Sequence, residues 1–213
     1  MVGGNMIKTV IFDFDGTIAD TLPLIIEFFN QNAEKFGFKK LGPSEVEGLR
    51  NKTVLEIIKE FKISLFRLPF IAKKLRDDLR KKIRDTKLIP EIKEVFFKLK
   101  KKGFKIGILS SNSKENIKKF LKANDLLIFE FIYSESNIFG KGNALKSLLK
   151  KLKVNSKEVV YIGDEVRDIE ACKKNGVKII SVTWGFNKKE VLLKNKPDYL
   201  INKPEEILKI VSS

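Results

Sequence analysis

Residues 10–21 read VIFDFDGTIADT, and this stretch decides the fold. It continues a largely apolar run that begins at position 7, and such a run is typical of a strand buried on both faces of a parallel sheet. Two aspartates, Asp13 and Asp15, follow directly, with Gly16 after them. Carboxylates this close repel each other and raise each other's pKa. We therefore expect a buried strand whose end carries a chemical function.

Five further apolar segments predict strands later in the chain. They cover residues 105–110, 129–133, 158–163, 177–183 and, more weakly, 198–201. Segments with the helical spacing of apolar residues separate them, at 90–103, 113–124, 142–152 and 164–176. Strands that alternate with helices form parallel sheets covered on both faces. The predicted fold class is therefore α/β, with a doubly wound, mostly parallel Rossmann-like sheet.

The segment 20–87 interrupts this alternation because it contains no convincing strand. Thr21 and Pro23 are suited to open a helix, and two pairs have the spacing of a capping box, Ser44 with Glu47 and Thr53 with Glu56. An apolar residue also recurs at every fourth position, as on one helix face: Ile71, Leu75, Leu79 and Ile83. We expect a helical cap domain at 20–87, inserted after the first strand of an α/β core domain that comprises 6–19 and 88–213.

The lack of histidine excludes several classes of active site. The chain contains no histidine and a single cysteine, Cys172. Ser-His-Asp hydrolases, Cys-His proteases and His-ligated zinc sites are therefore excluded. One cysteine permits no internal disulfide, which fits a reducing compartment, and no apolar run reaches the length of a bilayer span. We expect a cytoplasmic protein without membrane contact.

The charge of the chain is strongly positive. Lys and Arg number 43 against 27 Asp and Glu, which gives a net charge of +16. Such an excess attracts anions, including nucleic acid and phosphorylated metabolites. The lysines are spread along the whole chain and often alternate with apolar residues at helical spacing, which favours solvated helix faces. Nucleic acid is therefore an unlikely partner, and a small anionic ligand remains the better prediction.

Polar residues follow several of the predicted strands at the point where each strand ends. Besides the first pair of aspartates, they are Ser110, Ser111 and Asn112 after the second strand, and Asp164, Glu165 and Asp168 after a later one. The carboxyl ends of parallel strands meet at one edge of a sheet, where ligands bind. Carboxylates gathered there require a hard cation such as Mg²⁺, while Lys141 and Ser110 are suited to hold phosphate oxygens. The set indicates phosphoryl transfer with a carboxylate nucleophile.

These motifs, in this order, resemble those of the haloacid dehalogenase-like hydrolases over nearly the whole chain. The matching elements are D-x-D-G-T after the first strand, serine after the second, an upstream lysine, and G-D-x-x-x-D. The helical insert resembles the cap of the subfamily that contains phosphoglycolate phosphatases and β-phosphoglucomutases. The resemblance implies a Mg²⁺-dependent phosphatase that hydrolyses a small phosphorylated metabolite through an aspartyl-phosphate.

The resemblance also implies a role for each carboxylate. Asp13 is expected to be the nucleophile, and Asp15 the general acid that protonates the leaving oxygen and then the base for water. Mg²⁺ would be held by the side chains of Asp13 and Asp164 and by the backbone carbonyl of Asp15. True haloacid dehalogenases lack the second aspartate, so its presence favours a phosphate ester over an organic halide as the substrate. Asp168 is expected to orient Lys141 or a metal-bound water. Glu165 is expected either to support the metal site from outside the set of direct ligands or to be an acidic residue at a helix N-terminus.

The phosphoryl group has its own predicted binding residues, which are Ser110, Ser111, Asn112 and Lys141. Lys141 would bridge the nucleophile and the phosphoryl group, although Gly142 follows it where many relatives have proline. The cap loop at 48–53 is expected to read the leaving group, with Arg50 and Lys52 meeting a second anionic group.

Two alternative functions stay open at this point. The first is a phosphomutase of the β-phosphoglucomutase kind, which would return the phosphoryl group to a sugar phosphate. The second is a non-catalytic or nucleic-acid-binding module on the same scaffold, which the charge excess suggests and the intact motifs disfavour. For the oligomeric state, we expect a monomer or a homodimer.

Overall fold

The predicted strands form one sheet in the computed structural model, which describes residues 6–135, 137 and 139–212. In chain order they are β1 (Thr9–Phe12), β2 (Lys105–Ser110), β3 (Phe131–Ser134), β4 (Val159–Gly163), β5 (Lys178–Val182) and β6 (Tyr199–Ile201). The strand order is β3-β2-β1-β4-β5-β6, and every neighbouring pair is parallel. This confirms the α/β fold class. The strand predicted at 129–133 begins two residues late, because Phe129 packs its ring against Phe12 and Phe96 instead.

The first strand lies at the centre of the sheet, which explains its apolar sequence. Phe12 pairs with Ile108 of β2 on one side and with Ile162 of β4 on the other. Val10 and Phe12 face one apolar layer and Ile11 faces the other, so both faces of the strand are buried. The residues that follow β1 therefore lie between the ends of β2 and β4.

The segment 20–87 is helical, as predicted. Its helices are α1 (Leu22–Gln31), α2 (Ala33–Phe36), α3 (Pro43–Leu49), α4 (Val54–Glu60) and α5 (Leu68–Lys82), with a short 3₁₀ turn at Leu65–Arg67. The Thr53–Glu56 capping box is confirmed, since the Thr53 N–H donates to Glu56 Oε2 at 2.7 Å and the Glu56 N–H to Thr53 Oγ1 at 3.3 Å. The predicted box at Ser44 and Glu47 is wrong. Pro43 starts α3, so Gly42 is the cap residue and its N–H donates to Glu45 at 3.1 Å.

The chain leaves the sheet and returns to it at adjacent points. The Asp20 N–H donates to the Lys87 carbonyl and the Ile89 N–H to the Ile18 carbonyl, each at 2.9 Å. We propose this paired backbone as the boundary between the core (6–19 and 88–213) and residues 20–87, called the cap segment below. Residues 1–5, 136, 138 and 213 lie outside the described part of the chain.

Helices on both faces complete the core. They are α6 (Ile92–Lys101), α7 (Lys114–Ala123), α8 (Lys141–Leu152), α9 (Val166–Asn175), α10 (Lys189–Lys194) and α11 (Glu206–Val211). The four longest match the helices predicted from the sequence. Among the described residues, no helix combines the length and the apolar character that crossing a bilayer requires.

Candidate active site

Three buried aspartates converge beyond the carboxyl ends of β1 and β4. Asp13 follows β1 and its backbone N–H donates to the Ile162 carbonyl at 2.8 Å, which fixes the residue at the sheet edge. Asp164 follows β4, and Asp168 lies one turn into α9. One carboxylate oxygen from each of the three lies within 4.8 Å of the others. The sequence prediction that these strand ends share one crevice is therefore met in the structure.

Lys141 is the buried cation of this cluster. Its ammonium donates to Asp13 Oδ2 at 2.6 Å and also forms an ion pair with Asp168, while the Phe14 N–H donates to Asp13 Oδ1 at 2.7 Å. Burial lowers the pKa of Lys141, but the charges of Asp13 and Asp168 raise it by a larger amount. The net pKa therefore lies above its usual value. The lysine is therefore charged and positions the Asp13 carboxylate.

Two glycines and two hydrogen bonds hold Asp164. Thr17 Oγ1 donates to Asp164 Oδ1 and the Phe186 N–H to Oδ2, each at 2.7 Å. A Cβ on Gly16, whose φ is +76°, would lie 2.3 Å from Asp164 Oδ2, and one on Gly185 would lie 2.2 Å from its Cβ. Neither position accepts a side chain, so both glycines are required by the close approach of this carboxylate.

Asp15 lies half-buried at the mouth of the site. Asn112 Nδ2 donates to Asp15 Oδ1 at 3.0 Å. The amide of Asn112 is itself oriented, because its Oδ1 accepts from the Ser113 N–H at 2.8 Å and from Asn116 Nδ2 at 2.9 Å. Burial, followed by repulsion from Asp13, raises the pKa of Asp15 to about 6. This carboxyl group is thus poised to exchange a proton near neutral pH.

The turn after β2 is closed by its own side chains. Ser110 Oγ accepts from the Asn112 N–H at 3.1 Å, and Ser113 Oγ accepts from the Asn116 N–H at 3.2 Å at the start of α7. Ser111 Oγ lies 3.4 Å from Arg167 Nη2. Ser110 and Asn112 are buried, Asn112 in contact with Asp15, and Ser111 is half-buried.

Glu165 and Asp168 are held inside the cluster rather than in solvent. Asp168 Oδ2 accepts from the Glu165 N–H at 3.1 Å, and Glu165 Oε1 accepts from Arg167 Nη2 at 2.6 Å. Burial raises the pKa of Asp168 and the charge of Lys141 lowers it, and the net pKa is about 6. Burial, with repulsion from neighbouring carboxylates, raises the pKa of Asp164 well above its usual range.

Arg167 was missed by the sequence prediction. Arg167 lines a cavity between the core and the cap segment, and its Nε is buried without a partner among the described residues. Burial lowers its pKa, while Glu165 and Asp13 raise it to a net value above the ordinary one. Its position directly before Asp168 in α9 was the only available signal, and that signal did not indicate which way the side chain turns.

The cluster has the chemistry of a site for a hard divalent cation. Its carboxylates outnumber its cations, Lys141 and Arg167, and burial followed by repulsion between carboxylates raises the pKa values of Asp15 and Asp164. Oxygen donors from Asp13 and Asp164 converge there, and hard cations prefer oxygen ligands. The donor set therefore fits Mg²⁺.

Arg50 and Lys52 do not line this cavity. Arg50 donates from Nε to the Phe186 carbonyl and from Nη2 to the Gly185 carbonyl, each at 3.0 Å, and its Nη1 is paired with Glu47. The Lys52 ammonium is ion-paired with a glutamate of the cap segment, Glu60. Their donors are thus committed to the protein, which is a placement that the sequence did not predict.

A cavity of about 230 Å³ opens above Asp15, between the core and the cap segment. The core supplies its polar floor, which includes Asp15, Ser111, Asn112 and Arg167. The cap segment supplies its walls from α1, α4 and α5. A bound ligand would therefore contact the catalytic candidates at one end and the cap segment at the other.

Comparison with known proteins identifies the family of the chain. The family described as haloacid dehalogenase-like hydrolase matches residues 10–182. A phosphoglycolate phosphatase from Synechococcus elongatus is 31% identical over 206 residues, which cover 96% of this chain and 97% of the relative. The pyrophosphatase PpaX from Bacillus pumilus is 26% identical over 222 residues, which cover 98% of each chain.

Solved structures share the fold. The crystal structure of a predicted phosphatase from Clostridium acetobutylicum superimposes with a TM-score of 0.85 at 22% identity, and the match covers 98% of this chain and 100% of that one. Because the match extends over both chains almost completely, the cap segment and the sheet belong to one shared architecture.

Proposed function

The chain belongs to the haloacid dehalogenase-like hydrolases, and on this basis we propose that it is a Mg²⁺-dependent phosphatase of small phosphorylated metabolites. One observation carries the proposal. The buried carboxylate of Asp13 is fixed by Lys141 at 2.6 Å, and two residues further on the proton-exchanging carboxyl group of Asp15 lies at the floor of the cavity. A nucleophile beside a proton donor is the arrangement that ester hydrolysis through a covalent intermediate requires.

In the first step, a carboxylate oxygen of Asp13 attacks phosphorus and the ester P–O bond breaks. Asp15, in its protonated form, gives its proton to the leaving alkoxide. In the second step, Asp15 accepts a proton from a water molecule that attacks the phosphorus of phospho-Asp13. Inorganic phosphate leaves and Asp13 regains its carboxylate. The pKa of about 6 at Asp15 supports both directions of proton transfer.

The remaining polar residues hold the groups that react. We propose that the Lys141 ammonium and the Ser110 hydroxyl bind phosphoryl oxygens, with Ser111 and Asn112 at the same edge. Asp168 would act through Lys141, since the two are ion-paired and its second oxygen accepts from the Glu165 N–H. Asn112 would also orient Asp15, which it contacts at 3.0 Å.

The metal would be held by the side chains of Asp13 and Asp164 and by the backbone carbonyl of Asp15. When bound, Mg²⁺ would offset the crowded carboxylates and polarise the phosphoryl group. Glu165 is better placed to pair with Arg167 than to reach the metal directly. The presence of Asp15 favours phosphate ester chemistry over halide release, because a halide needs no proton to depart.

The names of the relatives suggest two substrates to test first, phosphoglycolate and pyrophosphate. The experiment is phosphate release from a panel of metabolites, with Mg²⁺ and with EDTA, for the wild type and for Asp13→Asn. We expect release that needs Mg²⁺, disappears in Asp13→Asn, and is accompanied by phosphate on Asp13 in acid-quenched protein. The same rate in the variant would overturn the proposal. Sugar bisphosphate products from a hexose phosphate would indicate the phosphomutase alternative instead.

A further inference from the structure

The cavity above Asp15 has a charged floor and apolar walls. Its walls come from the cap segment, and apart from Thr21 and Arg76 every cap residue that lines it is apolar. Leu22 and Ile25 contribute from α1, Val54 and Ile57 from α4, and Leu75 and Leu79 from α5. No aspartate, glutamate or lysine of the cap segment, which the structure describes completely, belongs to the lining.

The position of Asp15 determines which part of a substrate meets these walls. A leaving oxygen that takes a proton from Asp15 lies at the floor, so the rest of the leaving group extends toward the cap segment. A carboxylate or a second phosphate placed against α1 or α4 would lose its water without gaining a partner, because the one charged residue of the cap segment in the lining is Arg76 of α5. Burial of an unpaired charge is strongly unfavourable, whereas burial of hydrocarbon is favourable.

The cations near the cavity do not change this conclusion. Arg167 is paired with Glu165 on the floor at 2.6 Å, and Arg50 is bonded to backbone carbonyls outside the cavity. Arg76 of α5 does line the cavity, and its backbone carbonyl accepts from Asn116 Nδ2 of the core at 2.9 Å, which places the residue on the side of the cavity that faces the core. A cation is thus available beside the phosphoryl end of the site but not along the walls of α1 and α4.

We infer that the substrate is a phosphate monoester of an apolar alcohol, alkyl or aryl, whose hydrocarbon part packs against the cap walls. The inference rests on the proposed function and specifies its substrate class. Size permits it, since a cavity of about 150 Å³ in another protein binds benzene and this one measures about 230 Å³. Phosphoglycolate supplies one methylene to fill this space, and pyrophosphate supplies no hydrocarbon.

The test is a series of ethyl, propyl and butyl phosphate beside phosphoglycolate and pyrophosphate, with p-nitrophenyl phosphate as the general substrate. The alkanols are chemically equivalent leaving groups, so differences in kcat/KM report on the cavity. We expect kcat/KM to rise about fourfold per added methylene and phosphoglycolate to fall below ethyl phosphate. The inference would be overturned if kcat/KM did not change along the alkyl series, or if it were higher for phosphoglycolate or pyrophosphate than for the alkyl phosphates.

A matched pair of variants places the preference in the cavity. Ile57→Lys puts an ammonium on the wall and should lower the ratio of butyl phosphate to phosphoglycolate kcat/KM at least tenfold. Phe66→Lys makes the same change on a side chain that is 97% exposed in the same cap segment, and should leave the ratio unchanged. Equal ratios in both variants would count against the inference. If Ile57→Lys does not fold, the wild-type series decides alone.

The two proposals fail in different ways. If p-nitrophenyl phosphate is hydrolysed by the wild type and not by Asp13→Asn, the proposed function stands whatever the alkyl series shows. If phosphoglycolate is then the best substrate, only the apolar substrate class is wrong. In that case, a rise in KM for phosphoglycolate alone in Arg76→Gln would identify Arg76 as the residue that binds its carboxylate. If no ester is hydrolysed with Mg²⁺ present, the proposed function itself is wrong.

Discussion

Arg50 of the cap segment reaches Asp164 of the core through the backbone of a single residue. The carbonyl of Phe186 accepts from Arg50 Nε at 3.0 Å, and the N–H of the same residue donates to Asp164 Oδ2 at 2.7 Å. Asn187 strengthens the connection, since its Nδ2 donates to the carbonyls of Arg50 and Lys52. The position of the cap segment is thereby linked to a carboxylate that we propose as a metal ligand.

Removal of this guanidinium should affect all substrates alike. We expect Arg50→Ala to lower kcat/KM about tenfold for p-nitrophenyl phosphate and for the best substrate, and to raise the Mg²⁺ concentration needed for half activity. The physical reason is the loss of charged hydrogen bonds to the loop that holds Asp164, each worth about 1.5–3 kcal/mol. Steady-state kinetics at several Mg²⁺ concentrations measure both effects.

Lys52→Ala is the control for that variant, because among the described residues its ammonium is ion-paired with the half-exposed Glu60 alone. Such surface pairs contribute about 0–1 kcal/mol, so little change is expected. If the KM of Arg50→Ala rises only for substrates that carry a second anionic group, the result would instead support the role in substrate recognition that the sequence predicted.

Lys141 should be needed for stability as well as for activity. In Lys141→Met, Asp13 and Asp168 lose their cation inside the protein, and removal of one partner from a buried pair costs about 3–5 kcal/mol. Loss of one donor to the reacting group typically lowers kcat about 10²–10³-fold. Denaturant unfolding in EDTA and single-turnover kinetics measure the two effects separately. A variant of unchanged stability would show that the two ion pairs of Lys141 contribute nothing net to folding.

The metal-free protein should lose stability at Asp15 as the pH rises. The pKa of Asp15 is raised from about 3.8 to about 6 on folding, so the folded state binds more protons than the unfolded state between these values. The free energy of unfolding therefore falls through this pH range and levels off above it. In Asp15→Asn this loss is absent, so the variant should gain up to about 3 kcal/mol over the wild type above pH 6.

Unfolding curves of wild type and Asp15→Asn at pH 4 and pH 7, in EDTA, test this difference. At pH 4 the two proteins should be nearly equal, because Asp15 is protonated in the folded wild type. Mg²⁺ should stabilise the wild type more at pH 7 than at pH 5, since a ligand that binds only the folded state adds stability by mass action. An advantage of the variant that shrinks with rising pH would contradict the raised pKa.

Gly16 and Gly37 form a natural pair for testing the close approach of Asp164. Their φ angles are +76° and +75°, so alanine is strained at both positions to a similar degree. A Cβ at Gly16 would lie 2.3 Å from Asp164 Oδ2, whereas nothing lies within 4 Å at Gly37. We expect Gly16→Ala to abolish Mg²⁺-dependent turnover and Gly37→Ala to lose only about 1–2 kcal/mol of stability. Equal activities would show that Asp164 can move without consequence.

The sheet and the aspartates could be predicted because they depend on local sequence. The apolar run before Asp13 predicts a buried strand without further information. Parallel strands bring their carboxyl ends together whatever segments connect them. Ser44 shows the limit of this reasoning, since its spacing suits a cap but Pro43 starts the helix one residue earlier. Local spacing alone does not decide between two adjacent start positions.

Contacts between distant segments could not be predicted. The loop that contains Phe186 and Asn187 carries no motif, yet it contacts both Asp164 and Arg50. The direction of the Arg167 side chain depends on Glu165 and on the depth of the cavity, neither of which the spacing of α9 reveals. The apolar walls likewise became visible only when three helices of the cap segment were placed around one space.

The paired backbone at residues 18–20 and 87–89 has an evolutionary consequence. Since the intervening stretch departs and rejoins at neighbouring positions, its replacement by a different insert leaves the register of the central strands untouched. On the function that we propose, leaving-group selection and phosphorus chemistry are thus encoded in separable parts of one gene. On the same proposal, exchange of the insert gives new specificities, while Asp13 and Asp15 of the core are inherited unchanged.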